Sequence, residues 1–353
     1  AWAFVGTAVA AFVLVGGYLA LATYVLGKTG LWLAYALPAS GSAVNMVGAV
    51  LWASAQERRG RRFVQEALGR YTSPALVKQL VLRPEYLSLG GERRDLSVYF
   101  SDIAGFTNFS ERLPPERLVA LLNDYLTHMT DIVLAHDGVV DKYIGDAIMA
   151  FWGAPLPDEE HARKAARAAL AMQRECAMMR ARWLGEYGAD VVVRAGINSG
   201  PAVVGNMGSK HKYNYTVMGD MVNLASRLEG ANKAYGTALM VSQATYDAVS
   251  DEVVARELDL LAVKGKDEPV HVYELLAQKG QLDPARAATV ARFSDGLALY
   301  RRQEFIAALE EFRAALAANP DDGPSAAYVE RCTYLVEHPP DPDWDGVWRL
   351  KEK

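Results

Sequence analysis

The apolar residues of the chain are concentrated first in two long segments near its start. Neither Ala1–Leu26 nor Leu31–Ala55 contains a charged residue. Because about 20 helical residues cross a bilayer core of about 30 Å, the pattern predicts a transmembrane helical hairpin over residues 1–56. The basic run Arg58-Arg59-Gly60-Arg61-Arg62 follows. By the positive-inside rule, we expect this run and the domains after it on the cytoplasmic side of the cell (inner) membrane.

Residues 57–92 carry a shorter helical pattern. Phe63, Ala67 and Leu68 recur at helical spacing before a break at Ser73-Pro74, and a second short amphipathic stretch follows. The pattern predicts a helical linker that transmits strain from the membrane helices to the next domain. A simple solvated linker is the alternative interpretation.

Residues 93–278 alternate between strand-like and helix-like patterns. The apolar run that ends at Phe100 is typical of a buried strand, and Gly105 allows a tight turn after it. Helical periodicity follows over Pro115–His136. Two short apolar runs then meet across Ile144-Gly145-Asp146, which predicts a β-hairpin.

The second half of this domain repeats the alternation. A helix is predicted over residues 158–185, and two apolar runs, Val191–Asn198 and Ala202–Val204, predict another hairpin around Ser199-Gly200-Pro201. The resulting order is strand, helix, strand, strand, helix, strand, which is the ferredoxin-like pattern. The predicted fold class is therefore α+β, with a ferredoxin-like domain after the membrane helices and a small helical tail.

The tail has the pattern of one helical repeat. Residues from Phe293 through Tyr300 to Phe312 match one tetratricopeptide repeat in order and spacing. Because a single repeat lacks stacked neighbours, we expect tetratricopeptide-like helices over residues 286–338 to pack on the preceding domain or on a protein partner. Residues 339–353 contain Trp344 and Trp348 and predict an extended tail, either docked or disordered.

Composition narrows the possible functions. Of the 353 residues, 51% are hydrophobic and 22% are charged, and the net charge of −5 argues against general nucleic-acid binding. The two cysteines, Cys176 and Cys332, have no partner spacing, so we expect both to be buried small hydrophobic residues. The six histidines form no pair at the spacing of a zinc site.

Two aspartates follow apolar runs at positions suited to a metal. Asp102 ends the first strand, and Asp146 lies at the tip of the first hairpin. If the hairpin pairs beside that strand, the two carboxylates converge and can hold two metal ions for an in-line phosphoryl displacement. The backbone N–H groups near Phe106 and Thr107 would open a helix, and a helix start attracts phosphate.

A third motif lies between Thr216 and Arg227, in which Asn223 and Arg227 fall one helical turn apart. With these spaced motifs, residues 93–276 resemble the catalytic domain of the class III nucleotidyl cyclases. The resemblance implies a metal set of Asp102, Ile103 and Asp146 with two Mg²⁺ or Mn²⁺ ions. It also implies that Arg227 stabilises charge on the α-phosphoryl group in the transition state and that Asn223 orients the ribose.

The same resemblance assigns the residues that contact the base and the phosphates. Lys142 stands where guanylate cyclases of this class carry glutamate, and Thr216 matches a subgroup with threonine in place of the commoner aspartate. A lysine ammonium only donates, so it suits the adenine ring nitrogen and opposes the donor-bearing edge of guanine. Arg194 and Lys264 match residues that contact the terminal phosphates.

The sequence therefore predicts a membrane-bound adenylate cyclase that converts ATP to 3′,5′-cyclic AMP and pyrophosphate by two-metal catalysis for intracellular signal transduction. In the family, the metal-binding and base-binding residues of one site come from different subunits. Because this chain carries both sets, a homodimer is expected, with no nucleic acid as partner. The alternatives are a guanylate cyclase, which Lys142 disfavours, and a catalytically silent membrane signalling scaffold, which the intact metal and base residues disfavour.

Overall fold

The computed structural model describes residues 2–31, 47–56, 89–261, 269–341, 344 and 346–347. The chain divides into two compact units, Ala1–Pro74 and Ala75–Lys353. The predicted linker over residues 57–92 lies almost wholly outside the described residues.

The first unit contains helix α1, Trp2–Thr29, and a further helical stretch over residues 47–56. Among the helices that the structure describes, none combines the length and the apolar character that crossing a membrane requires. The predicted transmembrane hairpin is therefore not supported by the described helices, and it stays a prediction from composition.

The second unit is built on one mixed sheet. Its strands are β1 Gly90–Ile103, β2 Val139–Ile144, β3 Ala147–Trp152, β4 Val193–Gly208, β5 Tyr213–Met218, β6 Leu239–Ser242, β7 Val253–Leu261 and β8 Val270–Gln278. They lie in the order β2-β3-β1-β4-β6-β8-β7, with β5 paired to β4. Strand β1 lies centrally, antiparallel to β3 and to β4, whereas β4 and β6 are parallel.

Helices cover both faces of this sheet. They are α2 Phe106–Ser110, α3 Pro115–Ala135, α4 His161–Tyr187, α5 Asp220–Tyr235 and α6 Gln243–Val249. Side chains of β1 alternate between the faces as strand geometry requires. Tyr99 and Ile103 join the core under α3 and α4, whereas Leu96 and Val98 join the core under α5.

The predicted α+β fold is confirmed, including the order β1, α3, β2, β3, α4, β4. The predicted hairpin around Gly200 is wrong, because β4 is one continuous strand. Its residues pair with β1 in an unbroken register from Gly90 opposite Asn206 to Ile103 opposite Val193. Gly200 has a φ of +152°, and Pro201 lies opposite Asp95 within the same ladder. Extended pairing to β1 therefore overrides the local turn signal of glycine and proline.

The tail consists of three helices, α7 Pro284–Arg301, α8 Phe305–Ala318 and α9 Gly323–Glu337. Their core is aromatic, with the Tyr328 ring centroid 5.0 Å from those of Tyr300 and Phe312. Trp344 packs at the edge of this core, 5.4 Å from Tyr300, whereas Trp348 lies outside the described residues. The helices exist as predicted, and their assignment as a tetratricopeptide repeat stays a prediction.

The tail helices pack against the sheet through buried ion pairs. Arg256 of β7 donates to Glu274 of β8 at 2.6 Å and to Asp322, the N-cap of α9, at 2.8 and 3.0 Å. Arg331 of α9 donates to Asp259 of β7 at 2.6 Å. We call these five residues the tail interface.

Both cysteines are buried and free, as predicted. Burial raises the pKa of the Cys176 and Cys332 thiols to about 12. Since the thiolate is the reactive form, both side chains act as packing residues.

Candidate active site

The first predicted metal residue lies where β1 ends. Asp102 is the penultimate residue of β1, and Gly105 adopts the left-handed conformation, with φ of +70°, before α2 begins at Phe106. The predicted sharp turn into a helix is therefore present. Thr107 is exposed in the first turn of α2, while Phe106 packs edge-on against Phe109, with ring centroids 5.2 Å apart.

The second carboxylate reaches the same place from the β2-β3 hairpin. Asp146 follows Gly145, whose φ is +68°, at the tip of this hairpin, and β3 pairs beside β1. The Ile103 backbone N–H donates to Asp146 Oδ2 at 3.0 Å. Burial first, and then the neighbouring Asp102, raise the pKa of Asp146 to about 6, although the hydrogen bond from the Ile103 N–H acts to lower it. The structure thus brings Asp102 and Asp146 together at the end of β1.

An arginine and a third acid complete this region. Arg194 lies opposite Asp102 in the β1-β4 register, and its guanidinium is 3.8 Å from Asp102 Oδ2. Its Nε is also 3.8 Å from Glu229 Oε1 on α5. Burial and the charge of Asp102 raise the pKa of Glu229 to about 7. We call Asp102, Asp146, Glu229 and Arg194 the acid cluster.

The acid cluster fits a divalent cation by its charge and its donors. The cluster has three carboxyl groups and one guanidinium, which lies 3.8 Å from Asp102 and from Glu229, so negative charge is in excess. No group of three or more His, Cys, Asp or Glu side chains is arranged to hold a metal within the described ranges. Two carboxylates with substrate oxygens nevertheless suit Mg²⁺. The Ile103 side chain is buried in the core, so only its backbone is available to a metal.

The predicted base-reading residues meet on another part of the domain. Lys142 of β2 and Thr216 of β5 are 74 residues apart in the sequence, yet Lys142 Nζ lies 3.3 Å from Thr216 Oγ1. Asp141, which none of the sequence motifs indicated, completes the group. Its Oδ1 is 3.2 Å from Lys142 Nζ, and its Oδ2 accepts the hydroxyl proton of Thr216. We call Asp141, Lys142 and Thr216 the base cluster.

A β-bulge explains how Asp141 reaches this position. The β2-β3 register shifts between Val140 and Lys142, so the residue between them has no partner in β3. Burial raises the pKa of Asp141, while Thr216 and Lys142 act to lower it. The signal that was missed is an acidic residue inside an apolar strand, directly beside a candidate base-reading lysine.

Helix α5 presents its predicted residues to the outside. Asn223 and Arg227 are both exposed, and neither side chain makes a hydrogen bond or ion pair with any residue that the structure describes. Glu229 follows Arg227 by two positions, which is about 200° around a helix. It therefore faces the acid cluster while Arg227 faces away. Glu229 continues the buried stripe of Val222 and Ala225, and this helical spacing could have identified it.

The remaining predicted residues have different outcomes. Arg194 belongs to the acid cluster. Lys264 lies outside the described residues, so its role stays a prediction.

Comparisons with known proteins agree with this geometry. The model of the adenylate and guanylate cyclase catalytic domain matches residues 91–277. Adenylate cyclase 1 of Rhizobium meliloti (strain 1021) is 36% identical over 225 residues, or 63% of this chain and 33% of that protein. The chain spans well under half the length of the curated relatives that it matches first.

Solved structures of two cyclases resemble the same region. The adenylyl cyclase CyaB from P. aeruginosa is 36% identical, with a TM-score of 0.51 over 55% of this chain and 100% of that chain. The guanylyl cyclase Cya2 is 32% identical, with a TM-score of 0.50 over 55% of this chain and 98% of that chain. Because the family match covers more than half of the 353 residues, this chain belongs to the family of adenylate and guanylate cyclase catalytic domains.

Proposed function

We propose that this chain is an adenylate cyclase that converts ATP to 3′,5′-cyclic AMP and pyrophosphate. The observation that carries the proposal is the contact of 3.3 Å between Lys142 Nζ and Thr216 Oγ1 in a domain that also holds a carboxylate pair for a metal. Its relatives support this choice, since the Rhizobium protein and the P. aeruginosa structure are both named as adenylate cyclases.

The base cluster suits adenine. The Lys142 ammonium donates to an acceptor, which the adenine ring offers at N1, whereas guanine carries N1–H there. Thr216 Oγ1 accepts from the exocyclic amine of adenine. A site built for one pattern of donors and acceptors rejects the other strongly, because mismatched groups stay buried and unpaired.

The acid cluster suits the triphosphate. Asp102 and Asp146, with the backbone at Ile103, would hold two Mg²⁺ or Mn²⁺ ions. Such ions lower the pKa of the attacking hydroxyl and neutralise phosphate charge.

The other predicted site residues serve the ribose and the phosphates. Arg227 offsets charge that develops at the α-phosphorus, and Asn223 orients the ribose. Arg194 and Lys264 bind the terminal phosphates, together with the backbone N–H groups at the start of α2.

We propose that the active form is a homodimer. Within one chain, Asn223 and Arg227 point to the outside of α5, whereas Glu229 of the same helix faces the acid cluster. One chain therefore directs its transition-state residues away from its own carboxylates. A second copy related by two-fold symmetry would supply the missing half of each site and create two equivalent sites.

A guanylate cyclase is the second candidate, because the guanylyl cyclase Cya2 is 32% identical to this chain. Lys142 opposes it, since an ammonium cannot accept from the N1–H and amino group of guanine. A catalytically silent signalling scaffold is the third candidate. The acid cluster argues against a scaffold, because a protein that binds neither metal nor substrate gains no function from acids without close ion partners.

The deciding experiment is a product assay. The purified full chain is incubated with Mn²⁺ and either ATP or GTP, and the cyclic product is identified by mass spectrometry. Formation of cyclic AMP with a clear preference for ATP is the expected result. Preferential formation of cyclic GMP would favour the second candidate, and the absence of both products would favour the scaffold.

Membrane attachment and a tail partner are also proposals. The support for attachment is the uncharged composition of residues 1–26 and 31–55, and the predicted location is the inner membrane with the catalytic domain in the cytoplasm. Fractionation of expressing cells should recover the full chain in carbonate-washed membranes. Release by carbonate would contradict attachment. A protein partner of the helical tail would be sought by crosslinking of the full chain, without substitutions in the tail interface.

A further inference from the structure

Asp141 contacts both of the predicted base-reading residues in the base cluster, Lys142 and Thr216. Its side chain is fully buried, its Oδ1 lies 3.2 Å from Lys142 Nζ, and its Oδ2 accepts from the Thr216 hydroxyl. Thr216 itself is only 4% exposed. One carboxylate therefore contacts both groups that would read the purine.

The contact with Thr216 fixes the direction of a hydroxyl group. An ionised carboxylate can only accept, so the single hydroxyl proton of Thr216 must point to Asp141. One lone pair of Thr216 Oγ1 accepts from Lys142 at 3.3 Å, and the other stays free. Toward a bound base, Thr216 is thus an acceptor and not a donor. That suits the 6-amino group of adenine and repels the 6-oxo group of guanine.

The contact with Lys142 directs an ammonium group in the same way. Two of its three N–H donors point toward Asp141 and Thr216, which leaves one donor for the base. Adenine N1 accepts such a donor, and guanine N1–H does not. Toward a bound base, Thr216 therefore presents one acceptor and Lys142 one donor, each in a fixed direction.

We propose that Asp141 is the positioning residue that sets the purine preference, because it fixes the proton of Thr216 and the orientation of Lys142. This inference rests on the proposed function and adds a determinant to the same site. Asp141 does not touch the base itself. It acts through the two residues that do.

The test is Asp141→Asn in the full chain. The amide can donate to Thr216, which frees the hydroxyl proton to turn toward an acceptor on the base. The measured quantity is the ratio of kcat/KM for ATP to kcat/KM for GTP in one preparation with Mn²⁺. We expect this ratio to fall about 10-fold or more. A loss of folded protein lowers both values equally and leaves the ratio unchanged.

A double mutant separates the proposed role from a general effect. In a Thr216→Val background there is no hydroxyl to direct, so adding Asp141→Asn should change the ratio much less than it does in the wild type. Asp259→Asn is the matched control, because Asp259 is also buried and accepts from a hydroxyl, that of Tyr235 at 2.5 Å. It lies in the tail interface and should leave the ratio unchanged.

Three outcomes decide the matter. A ratio for Asp141→Asn within twofold of the wild type overturns the inference while the proposed function stands. Failure of the wild-type chain to form either cyclic nucleotide contradicts the proposed function itself. If Asp141→Asn does not fold by circular dichroism, Thr216→Ser and Thr216→Val replace it. Serine keeps the directed proton and should keep the ratio, valine should lower it, and equal ratios would overturn the inference.

Discussion

Buried acids meet arginine in two regions of this protein, and the two regions differ in how closely the charges pair. In the tail interface, Arg256 lies 2.6 Å from Glu274 and 2.8 Å from Asp322. In the acid cluster, Arg194 lies 3.8 Å from both Asp102 and Glu229. We call the tail interface closed, because its charges are joined by direct hydrogen bonds. We call the acid cluster open, because its arginine is too far from these two acids to hydrogen-bond them.

The pKa values follow this difference. Burial acts to raise the pKa of Asp322, but Arg256 lowers it below its usual value. Burial and neighbouring acids raise the pKa of Asp146 to about 6 and that of Glu229 to about 7. The closely paired charges of the tail interface hold elements of the fold together, whereas the three acids of the acid cluster share one more distant arginine. The difference teaches that the acid cluster is arranged for a ligand and not for stability.

The largest expected effect is on the closed region. Arg256→Met leaves Asp322 buried without its cation and leaves Glu274 with only Arg286 at 3.1 Å, so the free energy of unfolding should fall by about 3–5 kcal/mol. Urea unfolding measures the change. Arg292→Met, which removes the exposed pair with Glu311 at 3.1 Å, is the control and should cost less than about 1 kcal/mol. Equal costs for the two variants would show that the tail interface is not closed.

The next effect is on the open region and concerns activity. Asp146→Asn keeps an acceptor for the Ile103 N–H but removes one acid from the cluster. Cyclase activity should fall about 10²-fold to 10³-fold, the scale for loss of one transition-state contact. The melting temperature of the metal-free protein should stay equal or rise, since repulsion with Asp102 disappears. A lower melting temperature would mean that Asp146 serves the fold.

The base cluster is also joined by direct contacts, and a substitution there asks whether such a group can serve activity as well as stability. Lys142→Glu exchanges a donor for a repelling acceptor and leaves Asp141 without its cation. The activation free energy with ATP should rise by about 1–3 kcal/mol, as measured by kcat/KM. The control is Lys279→Glu, which makes the same charge change at an exposed residue. Unchanged use of ATP by the Lys142 variant would show that Lys142 does not read the base.

The smallest expected effect is a pH dependence. The pKa of Glu229 is about 7 in the fold and about 4.3 in the unfolded chain. The folded state then holds a proton that the unfolded state has lost, so this group's contribution is complete at low pH. It is lost as the pH rises through about 7.

Metal-free protein should therefore lose about 1–2 kcal/mol of stability from pH 4.5 to 7.5 because of Glu229. Glu229→Gln should remove this part of the slope. Glu252→Gln is the control, because Arg167 and Arg163 lower the pKa of Glu252 and its titration lies below this window. A slope that survives in Glu229→Gln would contradict the assigned pKa.

The sequence predicted the elements whose patterns are local. The strand before Asp102, the turn at Gly105 and the hairpin tip at Asp146 depend on neighbouring residues, and the structure has all three. The meeting of Lys142 with Thr216 was also expected. That expectation depended on resemblance to a family, because no local pattern relates residues 74 positions apart.

The features that were not predicted correctly depend on tertiary contacts. Gly200 and Pro201 carry a turn signal, yet pairing with β1 keeps β4 extended through them. Asp141 reaches Thr216 through a β-bulge, which the period-two pattern of a strand does not encode. Glu229 follows the helical spacing of the buried residues Val222 and Ala225, but only the packing of α5 on the sheet brings its carboxyl group to Arg194. All three depend on which element lies next to which.

The central claim is that one chain carries two half-sites, which only a second copy can complete. Asp102→Ala and Arg227→Ala chains with different tags are co-expressed, purified through both tags and assayed with Mn²⁺ and ATP. The heterodimer has one doubly broken site and one intact site, so activity should return to about half of the wild-type level per dimer. The control pairs Asp102→Ala with Asp146→Ala, which damage the same half-site and should stay inactive together. A doubly tagged Asp102→Ala and Arg227→Ala heterodimer that is as inactive as either parent would contradict the claim.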